Sequence, residues 1–329
     1  MRRLTKDILI SVLLVVVAVV CIVRWQAWFG MPEEPFWPNE NKDYTFPGPL
    51  IGDSVCALCS DSEAVCPTIL ILGDIHNRLT KADYDSLAAR VPDIDLIAQV
   101  GDWMERGQNF YYQSLIREWT DSELNGTPVI ACPGNHEYSK GLHKKLSPVW
   151  EQAFTYPHNG PVGVPGATYY VDLPQMRIIA IDTNPLKRLV YLTRTLTWLH
   201  RTMDSADDRY IVVLMHHPVI SAGKGRFNTL IYCTFRHALE QADLVIAGHD
   251  HSYMRKDPFV VLNTAGRTKK QRANLHAAVS DTVPVYGVLQ SQITIRRKQI
   301  GRNHKSQMQL TIHRLSDGAT IDSLYVSRD

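Results

Sequence analysis

The stretch that decides the fold reads Thr68-Ile-Leu-Ile-Leu-Gly-Asp74-Ile-His76, a short apolar run that ends abruptly in glycine, aspartate and histidine. A run of aliphatic and β-branched residues of this length, bounded by turn residues, predicts a buried β-strand. Because the run has no polar alternate face, the strand is expected to be covered on both sides, as in the sheets of α/β proteins. The stretch therefore predicts an α/β fold with polar side chains at the end of a strand.

Four later stretches repeat this pattern, each an apolar run with a polar end. They cover residues 95–102, 128–137, 210–218 and 243–251. Helical patterns that could cover the strands are predicted near 80–90, 108–120, 143–154, 189–203 and 228–241. The carboxyl ends of strands in an open α/β sheet meet at one edge, so we expect the polar ends to form a single site there.

The polar ends bring together two carboxylates, one amide and at least four imidazoles. Two buried aspartates without a counter-charge would repel each other and raise one another's pKa. Divalent cations remove that repulsion and are bound well by both carboxylate and imidazole. The residue types therefore predict a pocket that holds two metal ions.

In these residues and their order, the chain resembles the calcineurin-like metallophosphoesterases. The motifs of that superfamily are Asp-x-His, Gly-Asp-x-x-Asp, Gly-Asn-His-Asp/Glu, a lone His and Gly-His-x-His. They stand here as Asp74-Ile-His76, Gly101-Asp102, Gly134-Asn135-His136-Glu137, His216 and Gly248-His249-Asp250-His251. Each motif alone is short, but five in the family order over residues 67–255, each at the end of an apolar run, make a specific signal.

The resemblance implies a fold and a ligand set. The fold is a four-layer α/β/β/α sandwich, with residues 67–329 as the catalytic domain and the runs near 176–182, 286–296 and 307–314 in the second sheet. The cofactors are two divalent or trivalent ions (Mn, Fe or Zn). One metal is expected on Asp74, His76 and His251. The other is expected on Asn135, His216 and His249, and Asp102 bridges the two.

The resemblance extends in part to the purple acid phosphatases, with two departures. Those enzymes carry a tyrosine ligand three residues after the bridging aspartate, where this chain has Glu105, and a glycine where it has His76. A tyrosinate ligand is therefore not expected. Glu105 also replaces the second aspartate of the superfamily motif, for which a supporting role is expected.

The expected activity is hydrolysis of a phosphoric ester. A metal-bound hydroxide attacks phosphorus, Asn135 and the metals take up developing charge, and His136 acts as general acid. The favoured substrate is a small phosphomonoester. The alternatives are a phosphodiesterase of nucleotides, lipids or cell-wall intermediates, and a non-catalytic metal-binding scaffold at the membrane. Arg78 is considered as a phosphate contact, and His217 is placed behind the ligands or in the core because it follows His216 on an alternating strand.

The first thirty residues differ from the rest. Residues 8–23 carry no charge and are preceded by Arg2, Arg3 and Lys6, which predicts that residues 1–29 form a transmembrane anchor with a cytoplasmic N-terminus. A cleaved signal peptide is the alternative. Residues 30–66, rich in proline and holding Cys56, Cys59 and Cys66, are expected to form a tether with one local disulfide. The catalytic domain would then lie outside the cytoplasm, periplasmic or extracellular.

Composition narrows the possible partners. Hydrophobic residues make up 45% and charged residues 21% of the 329, the profile of a globular protein, and the formal net charge is only +2. So small a charge excludes a protein that binds nucleic acid through bulk positive charge, and no nucleic acid is expected as a partner. The oligomeric state is left open.

Overall fold

The computed structural model describes residues 67–139, 145–154, 156–221, 229–267, 279–297 and 302–328. Its strands are β1 (Thr68–Leu72), β2 (Ile94–Gln99), β3 (Val129–Ala131), β4 (Tyr169–Asp172), β5 (Met176–Ile181), β6 (Tyr210–Met215), β7 (Leu244–Ala247), β8 (Tyr253–Lys256), β9 (Phe259–Val261), β10 (Val279–Asp281), β11 (Val285–Arg297), β12 (Arg302–Arg314) and β13 (Thr320–Arg328). The helices are α1 (Lys81–Arg90), α2 (Asn109–Thr120), α3 (Pro148–Ala153), α4 (Leu189–Asp204) and α5 (Thr229–Leu239), with a 3₁₀ turn at Pro185–Lys187. The predicted strand runs and the predicted helices are thus found close to their expected places.

The strands form two sheets. The first has the order β13-β12-β11-β1-β2-β3 and the second the order β10-β8-β9-β7-β6-β5-β4. Strands β1, β2 and β3 are parallel to one another, as are β5, β6, β7 and β9. The five strands that end in predicted ligands are therefore divided, with β1, β2 and β3 in one sheet and β6 and β7 in the other.

One part of the expected sheet assignment is wrong. The run near 176–182 does form a strand of the second sheet, but those near 286–296 and 307–314 are β11 and β12 of the first. Strand β11 pairs antiparallel with β1, with Leu289 opposite Ile69, and β12 and β13 follow outward. Apolar alternation identifies a strand and its buried face, but the path of the chain decides which neighbour its backbone meets.

Alternate residues of the strands enter different cores. Ile69 of β1 and Leu214 of β6 lie in one buried cluster between the sheets. Leu70 of β1 faces the other way into a cluster with α1, α2 and α3, and Val213 of β6 faces into a third cluster with α4 and α5. The order is helix, sheet, sheet, helix. Burying one such aliphatic side chain contributes about 1.5–3 kcal/mol to the free energy of folding. Because each sheet is packed on both faces, the ends of its strands are held in place.

Within the described residues, no helix is both long and apolar enough to cross a bilayer. The predicted span at residues 8–23 and the predicted tether at 30–66 lie outside the described residues. The α/β fold with two sheets is confirmed, whereas the N-terminal anchor stays a prediction.

Candidate metal centre

Left-handed backbone turns follow the strands that carry the predicted ligands. Five ligands have positive φ angles: Asp74, His76, Asp102, His249 and His251, at 50°, 52°, 53°, 72° and 53°. This conformation is uncommon for residues other than glycine and costs of the order of 1 kcal/mol or more at each. Such strain persists only where the surroundings impose it, and it is often found where side chains must be aimed at one point. Of the eight residues other than glycine that have positive φ in the described part of the chain, these five are predicted ligands, and the others are Asn77, Asp93 and Asp207.

Two glycines allow the turns to come close together. Gly101 has φ +90°, and a Cβ at this position would collide with the ring of His216. A Cβ on Gly134 would collide with the carboxylate of Asp102. Both positions therefore require glycine, because a side chain would push apart the loops that carry the ligands.

The first group of ligands surrounds Asp74. Asp74, His76, Asp102 and His251 are buried and offer ligand atoms that all lie within 4.8 Å of one another. Nε2 of His251 is 3.5 Å from Oδ1 of Asp74 and 3.2 Å from Nε2 of His76. The other oxygen of Asp74 accepts the backbone N–H of His249 at 2.7 Å, which orients the carboxylate.

The second group surrounds His216. Its Nε2 lies 3.3 Å from Oδ2 of Asp102, 3.3 Å from Oδ1 of Asn135 and 3.2 Å from Nδ1 of His249. Oδ2 of Asp102 is also 3.7 Å from Nε2 of His76 in the first group. The Asp102 carboxylate thus lies between the two groups, and the seven predicted ligands form one connected set.

The hydrogen bonds of the imidazoles indicate that this set fits cations. Nδ1 of His216 lies 3.0 Å from the carbonyl oxygen of Val100, and Nδ1 of His251 lies 2.8 Å from that of Arg267. A carbonyl can only accept, so both Nδ1 atoms donate and a neutral ring turns the lone pair of Nε2 inward. Around His216 that lone pair meets the oxygens of Asp102 and Asn135. Electron-rich atoms so close together require a cation or a proton among them.

The pKa values reflect the same crowding. Burial alone would lower the pKa of His216, but the charge of Asp102 and the hydrogen bond to it raise that pKa to about 9. Burial lowers the pKa of His76 to about 3, against the opposing charge of Asp102. Burial opposes ionisation of Asp102, yet the charge and hydrogen bond of His216 hold its pKa well below the usual range. A proton on His216 therefore takes the place that a metal ion would fill.

Glu137 holds two of the ligand loops together. This buried carboxylate accepts backbone N–H groups from Asp102 at 2.9 Å, Met104 at 3.0 Å and Gly134 at 2.7 Å. Burial and the nearby charge of Asp102 raise the pKa of Glu137 to about 7. Through these three hydrogen bonds Glu137 fixes the loops that carry Asp102 and Asn135.

His136 lies at the edge of the centre. Its Nδ1 donates to the carbonyl oxygen of Glu105 at 2.5 Å, and its Nε2 is 4.0 Å from Oδ2 of Asp102. Its side chain is 33% exposed, so solvent and a ligand can reach it. The backbone N–H of His136 donates to Oδ1 of Asp102 at 2.9 Å, which ties the residue to the carboxylate between the two groups.

Glu105 and Arg78 form the outer rim. Oε2 of Glu105 lies 3.5 Å from Nδ1 of His76 and 3.9 Å from the guanidinium of Arg78, which also donates to the carbonyl of Ala265 at 3.3 Å. The expected supporting role of Glu105 thus has a geometric basis next to a predicted ligand. The suggested phosphate contact of Arg78 stays a prediction.

Two residues near the centre were missed by the sequence reasoning. Asp182 and Asn184 follow β5, and Asn184 donates to the carbonyl oxygen of Gly134 at 3.1 Å. The sequence signal was present, because β5 is another apolar run that ends in aspartate. His217 was expected behind the ligands or in the core, and it is half-buried with its ring centroid 4.5 Å from that of His249, a predicted ligand. Strand β6 ends at Met215, so strand alternation does not extend to His217.

Two kinds of sequence comparison agree with the geometry. The family model described as calcineurin-like phosphoesterase matches residues 67–253, more than half of the chain. The "Probable glycerophosphodiester phosphodiesterase GpdQ" of Arcobacter nitrofigilis is 26% identical over 135 residues. That match covers 40% of this chain and 45% of the relative, so it spans less than half of the relative's length.

Solved structures share the fold. The purple acid phosphatase PPD1 from seeds of yellow lupin (Lupinus luteus) is similar with a TM-score of 0.60 and 14% identity, over 80% of this chain and 54% of that one. GAP50, described as the anchor in the inner membrane complex of Plasmodium, is similar with a TM-score of 0.56 and 13% identity, over 80% of this chain and 89% of that one. At such identities the likeness concerns the fold alone. Together with the family match over residues 67–253, the fold and the ordered motifs place this chain in the calcineurin-like phosphoesterase family.

Proposed function

We propose that this chain is a phosphoric ester hydrolase that uses two metal ions. The observation that carries the proposal is the position of Asp102, whose Oδ2 lies 3.7 Å from Nε2 of His76 and 3.3 Å from Nε2 of His216. One carboxylate between two ligand groups is the arrangement expected of a dinuclear centre. When bound there, the ions supply positive charge to the phosphoryl oxygens and lower the pKa of a water molecule.

The protein's own residues supply orientation and a proton. His136 donates through Nδ1 to the carbonyl oxygen of Glu105, so the proton for the departing alkoxide comes from Nε2 of the ring when both nitrogens are protonated. Asn135 lies against His216 through its Oδ1 at 3.3 Å, which holds the amide at the second ligand group. A binding protein without catalysis would have no use for a proton donor at the mouth of the centre. This favours an enzyme over the non-catalytic membrane scaffold.

For the substrate, we propose a small phosphomonoester. The second candidate is a phosphodiester of a nucleotide, lipid or cell-wall intermediate, and it is favoured by the likeness to a protein described as a glycerophosphodiester phosphodiesterase. We further propose that residues 1–29 anchor the chain in a membrane and that the catalytic domain faces outward. The basic residues before the apolar stretch support this orientation.

The test is a substrate panel on the metal-loaded full chain in detergent. Aryl monoesters and diesters of phosphate are offered with manganese, iron or zinc, and bound metal is measured by elemental analysis. We expect two metal ions per chain and faster hydrolysis of monoesters. The Asp102→Asn variant should lose both metal and turnover. If the two-metal wild type hydrolyses no ester of the panel, the scaffold alternative replaces the enzyme. Faster hydrolysis of diesters would instead assign the second candidate.

A further inference from the structure

His217 is a third imidazole beside the second ligand group. Ring nitrogens of His216, His217 and His249 lie within 4.8 Å of one another. The ring centroid of His217 is 4.5 Å from that of His249 and 5.0 Å from that of His216. By distance alone, His217 could be an additional metal ligand or could have a different role. The hydrogen bond at its Nδ1 distinguishes these possibilities.

The hydroxyl of Thr183 fixes the tautomer of His217. Oγ1 of Thr183 accepts the backbone N–H of His217 at 3.3 Å and lies 2.6 Å from Nδ1 of the same residue. Thr183 is buried, with 1% exposure, so its hydroxyl proton needs an acceptor within the protein. Among the described residues, Nδ1 of His217 is the acceptor in reach of that proton. Nδ1 of His217 therefore accepts, and the neutral ring carries its proton on Nε2.

This tautomer is the reverse of the one found at the predicted ligands. His216 and His251 donate through Nδ1 to backbone carbonyls and offer a lone pair on Nε2, which suits a metal ion. His217 accepts at Nδ1, so its Nε2 carries a hydrogen and has no lone pair to give to a metal. The same atom is a hydrogen-bond donor, and phosphoryl oxygens are strong acceptors.

We propose that His217 donates a hydrogen bond from Nε2 to a phosphoryl oxygen of the bound substrate and is not a metal ligand. With Nδ1 turned toward Thr183, Nε2 is on the opposite side of the ring, and the residue is half-buried, so an anion that enters from solvent can reach it. Thr183 acts as a positioning residue because it sets which nitrogen carries the proton. The proposal rests on the phosphoester hydrolase function proposed above and adds one binding contact to it.

Four variants of the full chain test the proposal. In His217→Asn the amide can still meet Thr183, but no atom remains where Nε2 was. In His217→Gln the longer amide can place an N–H near that position. Thr183→Val removes the hydroxyl while keeping the shape, and Thr183→Ser keeps the hydroxyl. Each manganese-loaded variant is compared with the wild type by elemental analysis and by calorimetric titration with inorganic phosphate.

We expect His217→Asn to keep the full metal content and to bind inorganic phosphate about ten- to a hundredfold more weakly, as expected for loss of one hydrogen bond to a charged group. His217→Gln should recover part of that loss. Thr183→Val should weaken phosphate binding, and Thr183→Ser should leave it near the wild type.

Three results would overturn the proposal. Loss of a metal ion in His217→Asn would make His217 a ligand, and unchanged phosphate affinity in a fully metallated His217→Asn would remove the contact. Failure of the wild type to bind phosphate at all would also overturn it. A wild type that binds phosphate but hydrolyses no ester would refute the proposed enzyme while leaving this binding role intact.

Discussion

Glu137 is the single side chain on which the geometry of the ligand loops depends most directly. It accepts three backbone N–H groups, two through Oε2 and one through Oε1. In Glu137→Gln the amide NH2 must face at least one of these N–H groups, so a buried donor meets a donor. We expect a loss of about 1–3 kcal/mol in the free energy of unfolding and a weaker affinity for metal, measured by chemical denaturation and metal titration.

The matched control for this change is Glu151→Gln, which makes the same substitution at an exposed position of α3. The control should change the free energy of unfolding by no more than about 0.5 kcal/mol. Equal stability and equal metal affinity for Glu137→Gln and wild type would show that the carboxylate does not hold the loops.

His136 gives a second prediction at the scale of one residue. Its ring centroid is 4.5 Å from that of His76, and its Nε2 is 4.0 Å from Oδ2 of Asp102. We expect His136→Ala to retain both metal ions and to lower kcat by about 10²–10⁴-fold, the usual contribution of a general acid. Steady-state kinetics with parallel elemental analysis measures both quantities. A leaving group of low pKa needs little protonation, so the decrease in kcat caused by His136→Ala should be smaller with a nitrophenyl ester. An equal decrease on all esters would argue against the proton-donor role.

The sequence was informative about individual residues wherever a side chain closes an apolar run. Asp74, Asp102, Asn135 and His249 follow strands, and the direction of a parallel strand determines the edge at which its end lies. Residues such as His217 and Glu105 lie one or more positions farther into a loop. Their directions depend on left-handed turns and on partners such as Thr183, which lie far away in the chain. Periodicity carries no information about such partners.

Among the helices, α1 offers a clean test of local structure. Its N-cap residue Thr80 forms a capping box with Asp83, in which each side chain bonds the other's backbone N–H. Thr80→Ala removes the side-chain acceptor of the Asp83 N–H, while the Thr80 N–H keeps the Asp83 carboxylate, and the change should lower the free energy of unfolding by about 0.5–2 kcal/mol. Thr80→Ser keeps the hydroxyl, so it should lower the free energy of unfolding by only a few tenths of the loss expected for Thr80→Ala. Thermal and denaturant unfolding of the two variants measures the difference, and equal stability of Thr80→Ala and wild type would mean that solvent replaces the cap.

At the same scale, the bounds of the helices and strands were predicted well. Which strands lie next to each other in a sheet was predicted less well. Helices near 80–90, 108–120 and 189–203 follow the expected bounds because their apolar spacing is a local property of the sequence. Strands β11 and β12 were expected in the second sheet, yet they extend the first beside β1. The pairing of Leu289 with Ile69 joins residues 220 positions apart, and no local pattern specifies such a contact.

On the scale of the whole molecule, the centre joins the two sheets. Asp74 and Asp102 come from the first sheet, and His216 and His249 from the second, so a metal ion that they share links both halves of the sandwich. A ligand that binds only the folded chain stabilises it by an amount that grows with its concentration, about 2.7 kcal/mol at a hundred times Kd. Removing the metal should therefore lower the melting temperature of the whole domain in one transition rather than loosen one loop.

The size of that stabilisation should depend on pH, because protons and metal compete for the same atoms. In the metal-free chain the pKa of His216 is raised to about 9, since the charge of Asp102 outweighs the effect of burial. A histidine with a raised pKa stabilises the folded state fully below its unfolded pKa of about 6.5 and loses that contribution as the pH rises through 9. Burial raises the pKa of Glu137 to about 7, so its protonated form also favours the metal-free fold at low pH.

Metal binding requires Nε2 of His216 to release its proton and is favoured by a charged Glu137, so both groups act in the same direction. We expect the rise in melting temperature on adding manganese ions to be small at pH 6 and clearly larger at pH 8.5, measured against a chelator-treated sample at each pH. The Asp102→Asn variant, which lacks the charge that raises the pKa of His216, is the control and should show little metal-induced rise at either pH. An equal rise for wild type at both values would mean that His216 does not exchange a proton for a metal ion, and the second ligand group would then need a different composition.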